Sequence, residues 1–144
     1  MKIWVIKIGT SILRGSYKHT TFEIINNFCS YISKAQKKGD KIILVSSGAV
    51  GLGSQKMNFN ERPKEIISLQ ASAAIGQVHL MYLYQKAMDR FGYNVAQVLL
   101  TRSELGSRNS YNSASQTLKR LIEWDVIPIV NENDIVSDEE LKYG

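Results

Sequence analysis

The sequence predicts an open α/β fold, a mainly parallel sheet with helices on both faces. Three observations carry this: four short apolar or β-branched runs, helix-period segments between them, and loops of small or charged residues where the runs end. The order strand, helix, strand, helix, strand, helix, strand suits right-handed crossovers.

Lys2 to Ile8, KIWVIKI, reads as the first strand and runs into a turn at Gly9-Thr10-Ser11. A helix follows, capped by Thr20 or Thr21, with Glu23 in its first turn and Phe22, Ile25, Phe28, Cys29 and Ile32 near a 3.6-residue period. Lys34, Lys37 and Lys38 suit its carboxyl end, and Gly39 stops it. Lys41 to Val45, KIILV, is a nearly continuous apolar strand of the kind covered on both faces, and Ser46-Ser47-Gly48 breaks it. Pro63 opens a long helical segment through Phe91, which Gly92 ends. Within it the Tyr82, Tyr84 and Phe91 group is expected in the core. Asn94 to Leu100 is a third strand, Tyr111 to Trp124 a helix with Ala114, Leu118, Leu121 and Ile122 on one side, and Val126 to Val130 a fourth strand. Pro128 cannot donate to a ladder, which puts that strand near an edge or at an irregularity.

Composition narrows the class. The 144 residues are 44% hydrophobic and 22% charged, with ten Gly and two Pro, which excludes collagen-like, disordered and low-complexity chains and predicts one domain or part of a larger one. No apolar run reaches the roughly 18 residues that cross a bilayer, and Met1-Lys2 leads straight into a strand, so a cytoplasmic protein without membrane contact is expected. Cys29 is the single cysteine and His19 and His79 the only histidines, too few for a zinc site, so Cys29 reads as a buried or half-buried thiol and no metal-ligating residue is assigned. Eighteen Lys and Arg against thirteen Asp and Glu give +5, which favours anionic partners. That charge is the sole feature pointing to nucleic acid, which is not expected as a partner.

Ligands of open α/β sheets collect at the carboxyl ends of the strands. Four candidate loops fall there: Gly9-Thr10-Ser11, Ser46 to Gly53, Thr101-Arg102, and Asn131 to Asp134. At the first, Lys7 ends a strand beside a turn whose N–H groups can face an anion, and its ammonium suits a transferring phosphoryl group; a solvent-facing lysine is the plain alternative. The second spells GxxGxG, neither the Walker nor the dinucleotide pattern. It reads as a strand-to-helix junction at which backbone and helix N-terminus approach an anionic ligand, or as a tight turn with close helix packing. The third loop lies outside these glycine-rich patterns, and the fourth, Asn131-Glu132-Asn133-Asp134, can fix a ligand bearing ammonium and carboxylate groups, or simply form Asx turns.

Together, KIGTSIL (7–13), LVSSGAVGLG (44–53), LQASAAIGQ (69–77), QVLLTR (97–102) and PIVNENDIV (128–136) resemble the amino-acid-kinase family, in particular its members acting on free glutamate. The resemblance implies transfer of the γ-phosphoryl group of ATP, with Mg²⁺ shielding the nucleotide, to the side-chain carboxylate of L-glutamate. The products are glutamyl 5-phosphate and ADP, and the reaction opens proline biosynthesis. By motif position, Lys7 would contact the nucleotide phosphates and stabilise the transferring group. Gly9 and Thr10 would line the phosphates, and Ser47, Gly48 and Asp134 the glutamate. A homo-oligomer and feedback inhibition by proline are further implications. The loop after SGA departs from the family's alanine-rich form, reading Val50-Gly51-Leu52-Gly53.

Leu141-Lys142-Tyr143-Gly144 resembles the lead-in to the family's GDND segment. Residues 1–144 are therefore expected to be the N-terminal, substrate-side part of a kinase domain, without its C-terminal nucleotide-binding part, and inactive or nearly so alone. The sheet is expected to end on an uncovered strand beside Val126 to Val130, exposing an edge or apolar face that promotes dimerisation. A different amino-acid kinase, or a non-catalytic module that binds glutamate or proline or forms a dimer, are the alternative readings.

Overall fold

The computed structural model describes residues 1–16, 18–99 and 108–131, the side chains of 108–112 excepted. Four strands, β1 (Ile3–Ile8), β2 (Lys41–Ser46), β3 (Val95–Val98) and β4 (Ile127–Asn131), form one sheet in the order β1-β2-β4-β3, and every pairing is parallel. Among the described residues five helices connect them: α1 (Thr10–Leu13), α2 (Thr21–Lys37), α3 (Ala49–Lys56), α4 (Ile66–Asp89) and α5 (Arg108–Glu123).

α2 begins as its sequence dictates. The Thr20 hydroxyl accepts from the Glu23 N–H while the Glu23 carboxylate accepts from the Thr20 N–H, a reciprocal capping box. Ile25, Cys29 and Ile32 point inward, and Gly39 takes φ +101° just past the end. These side chains meet Ile8, Ile42, Leu44, Ile127 and Ile129 of the sheet and Leu80, Leu83, Tyr84 and Met88 of α4 in one core. The connection from β3 back to β4 reverses direction across the sheet, so a right-handed crossover puts α5 on the opposite face. At the amino ends of the strands, Asp125 accepts from Gln36 Nε2 at 3.0 Å and from Lys41 Nζ at 2.8 Å, and Gln36 Oε1 accepts from the Ile42 N–H.

Several expectations change. β4 lies between β2 and β3, so it is not at an edge; the outer strands of the described sheet are β1 and β3, and β3 is the one beside β4. Pro128 is accommodated because the Ile127 N–H donates to Asn94 O on the β3 side, so the next amide position faces β2. The β2–β4 ladder starts only at Leu44 and Ile129. An apolar surface is indeed open, but on β1, where Ile3 and Val5 are exposed on the face away from the core.

α4 starts at Ile66 rather than Pro63. By length and composition it could cross a membrane, contrary to the expectation that no apolar stretch is long enough. Here Ser72, Gly76, Leu80, Leu83, Tyr84, Ala87 and Met88 of α4 are buried in the fold. Tyr84 belongs to the core as expected, whereas Tyr82 is 58% exposed.

Candidate functional site

The carboxyl ends of β1 and β2 meet through their loops. The Ser47 N–H donates to Ile8 O at 3.1 Å, which carries the parallel ladder one residue past β2. Beyond it the Thr10 hydroxyl donates to the Ser47 hydroxyl at 3.0 Å. Gly9 precedes α1, and its carbonyl accepts from the Ile12 and Leu13 N–H groups. A side chain at Gly9 would meet open space, so glycine there leaves room at the strand end instead of serving a strained backbone. Gly48 is different. It caps α3 at φ +104°, a left-handed conformation that favours glycine, and a Cβ would also crowd Leu13 Cδ1 at 3.3 Å. α3 starts at this turn, its first N–H groups have no acceptor within the helix, and no acidic residue occupies its first turn.

The turn is fixed from beneath. Ser46 is buried, and its hydroxyl lies 2.9 Å from the Tyr84 hydroxyl and donates to Ser47 O at 3.2 Å. Burial pushes the Tyr84 hydroxyl up to about 12 although the bond to Ser46 opposes the shift. The phenol therefore stays protonated as a fixed hydrogen-bonding group behind the site.

The glycine-rich segment divides into two functions. Gly48 makes the turn, while a Cβ on Gly53 would fall 1.7 Å from Ser72 O, and one on Gly76 would fall 1.7 Å from Ala49 O. α3 and α4 thus touch backbone to backbone. The close-packing reading holds for Gly53, and Ser72 and Gly76 of the LQASAAIGQ segment form the other half of the same seam. Gly51, by contrast, has open space where a Cβ would be.

Gly9, Thr10, Ser47 and Gly48 thus share one rim. Lys7 occupies the penultimate position of β1, in register with Val45, and is exposed, because it shares the strand's open face with Ile3 and Val5. Asp134 and the loop at Thr101-Arg102 lie outside the described residues. Beside the rim opens a cleft of about 240 Å³ bounded in part by Thr10, Gly48, Gly51, Arg14, Ser54 and Arg62. Sequence reasoning missed the last three. They fall in no motif, and only the packing of the β1–α2 loop against α3 and the segment after it brings them together. Among the described residues no group of three or more His, Cys, Asp or Glu side chains could hold a metal ion.

An open parallel sheet with a glycine turn at the end of β2 defines an α/β protein of the class whose ligands collect at the strand ends. Its profile places it more narrowly: the Amino acid kinase family matches residues 2–144, and the chain belongs to that family. It is 81% identical over all 144 residues to the glutamate 5-kinase of Prochlorococcus marinus strain NATL2A, spanning 40% of that protein. It is 51% identical over the same residues to the glutamate 5-kinase of Synechococcus sp. strain CC9605, spanning 39%. The chain thus covers about two fifths of the length of these curated relatives. Among solved structures, Giardia carbamate kinase superposes with a TM-score of 0.56 at 18% identity, over 90% of this chain and 59% of that one. The isopentenyl phosphate kinase of T. acidophilum gives 0.56 at 16% identity, over 90% and 54%. Both likenesses concern the fold.

Proposed function

We propose that these 144 residues are the acceptor side of an ATP-dependent kinase that phosphorylates the side-chain carboxylate of L-glutamate, yielding glutamyl 5-phosphate and ADP. The observation that carries this reading is the 81% identity, along the whole chain, to a protein named glutamate 5-kinase. The rim supplies matching chemistry. A carboxylate is already a deprotonated nucleophile, so the site needs no general base, and positioning with charge neutralisation provides the rate. Ser47 and the Gly48 turn hold the acceptor carboxylate, and the α3 N-terminus favours its negative charge. Lys7 neutralises the transferring phosphoryl group from the strand end, Gly9 and Thr10 line the phosphates, and Asp134 takes the substrate ammonium. Mg²⁺ enters on the nucleotide and offsets the charge of its phosphates.

Proline biosynthesis is the pathway this product would serve, with proline a candidate feedback ligand of the same enzyme. A homo-oligomer fits the outer face of α4, where Ile67, Ile75, Val78 and Tyr82 are exposed at helical spacing.

Amide-resolved NMR titration of the 16.2 kDa chain with L-glutamate, N-acetylglutamate, aspartate and carbamate tests the reading. L-Glutamate is expected to bind best and to shift the amides of residues 9–10 and 47–49. A folded chain that binds no glutamate, or prefers another of these acceptors, overturns it.

A further inference from the structure

Tyr84 brings a hydroxyl into a part of the core that is otherwise apolar. Among the fully buried members of the core cluster it is the single side chain with a hydroxyl, on a helix face that also carries Leu80, Leu83, Ala87 and Met88. A phenylalanine would fill the same space without burying a polar group, which is unfavourable unless that group is hydrogen-bonded. The Tyr84 hydroxyl is bonded, to Ser46 Oγ at 2.9 Å, and Ser46 is itself only 1% exposed. Counting protons gives the bond its direction. Ser46 has one hydroxyl proton, and it goes to Ser47 O at 3.2 Å, so Tyr84 must be the donor to Ser46. A directed relay thus runs from α4 through the last residue of β2 to the peptide that joins Ser47 to Gly48.

That peptide is trans, so the Gly48 N–H points to the side opposite the Ser47 carbonyl, away from the Ser46 hydroxyl. Turning the plane over would reverse both groups and carry Gly48 from its φ of +104° into the negative-φ half of the map. Glycine populates both halves about equally, so residue 48 does not itself decide which way its N–H points. We propose that Ser46 and Tyr84 are positioning residues for phosphoryl transfer, which hold the Ser47 carbonyl and thereby keep the Gly48 N–H turned towards the reacting acceptor carboxylate. The proposal rests on the reading of Ser47 and Gly48 as acceptor contacts given above. A donor already in place needs no reorganisation when the reacting group arrives. Hydrogen bonds in series also polarise one another, and a polarised Ser47 carbonyl makes the N–H of its own peptide a stronger donor. Both side chains are buried behind the turn and act through it.

The test is NMR on the 144-residue chain and on its Tyr84→Phe, Ser46→Ala, combined Tyr84→Phe/Ser46→Ala and Ser47→Ala variants, with L-glutamate as the probe. Two quantities are read beside the urea midpoint: the glutamate dissociation constant, and the N–H residual dipolar coupling of Gly48, which reports the orientation of that peptide. Tyr84→Phe and Ser46→Ala are each expected to weaken glutamate by about fivefold or more and to displace the Gly48 coupling. The combined variant is expected to lose no more than about twofold beyond the larger single effect, because both residues act through one carbonyl. Parent-like glutamate affinity in both single variants, or a Gly48 coupling that stays at the parent value in both, overturns the relay whatever happens to the urea midpoint. A fully additive combined variant overturns it too. Should Tyr84→Phe fail to fold, the affinity and coupling of Ser46→Ala decide alone. If the relay falls while Ser47→Ala still loses glutamate, the acceptor reading stands. A folded parent chain that binds no glutamate removes both.

Discussion

The Thr10 hydroxyl donates to the Ser47 hydroxyl across 3.0 Å, joining residues 37 positions apart in the chain at the carboxyl ends of two paired strands. The bond couples the loop after β1 to the turn after β2, so a ligand seated against either contacts a surface made by both. Ser47 is buried to 6% exposure, and its lone pairs and proton are shared among Thr10, Ile8 O and whatever occupies the rim.

Replacing Ser47 by Ala is expected to weaken L-glutamate at least tenfold, about 1.4 kcal/mol, while lowering stability by only about 1 kcal/mol. Paired ligand titrations and urea midpoints separate the two effects. An unaltered titration would take Ser47 out of the substrate contacts.

The α3–α4 seam predicts a contrast among glycines. Gly53→Ala and Gly76→Ala each drive a methyl group into a backbone carbonyl, at a cost on the order of 3 kcal/mol. Gly51→Ala meets open space within a helix and is expected to raise stability by up to about 1 kcal/mol. Urea denaturation of the three variants checks the order, and equal effects would deny the seam.

Alkaline pH should destabilise the fold. Burial pushes the Cys29 thiol up to about 12 from its ordinary 9.0, and the Tyr84 hydroxyl to about 12 from 10.0. Both groups are neutral when protonated, so as pH rises the unfolded chain loses these protons first. Their contribution to stability is complete below the unfolded values and declines as pH climbs from about 9 towards 12. Urea midpoints measured from pH 8 upward are expected to fall, and Cys29→Ala to flatten the first part of that decline. In the native chain at pH 8, Cys29 should resist a thiol reagent that modifies it rapidly in urea.

The exposed stripe on α4 predicts self-association. Val78 is 75% exposed at its centre, and Val78→Glu is expected to convert an associated species to monomer in sedimentation velocity without loss of helix content. A monomeric parent chain would remove α4 as an interface.

Local signals in the sequence carried much of this architecture. The Thr20 and Glu23 pair, Gly39 and the KIILV run specify α2 and β2 through contacts within a few residues of themselves, and those elements lie where the sequence puts them. Pro128 misleads because a missing N–H says only that one side of the strand lacks a donor. It does not say that the neighbouring ladder begins one residue later. The glycine-rich segment could not be divided from its spelling, since the partner atoms of Gly53 belong to Ser72 and Gly76, about twenty residues on. At the rim, Gly9, Thr10, Ser47 and Gly48 were legible because each lies within two residues after the end of a strand. Arg14, Ser54 and Arg62 were not, because nothing local distinguishes them and only tertiary packing gathers them.

The backbone contact at Gly53 and Gly76 makes one jaw of the site immovable. With backbone against backbone at these two points, α3 cannot be pushed closer to α4, and the Gly48 turn opens that helix. Accommodation of acceptors of different size therefore falls to the opposing jaw, residues 14–16, 18–20 and 57–65. Relaxation-dispersion NMR should find ligand-sensitive exchange there and quiet amides along α3.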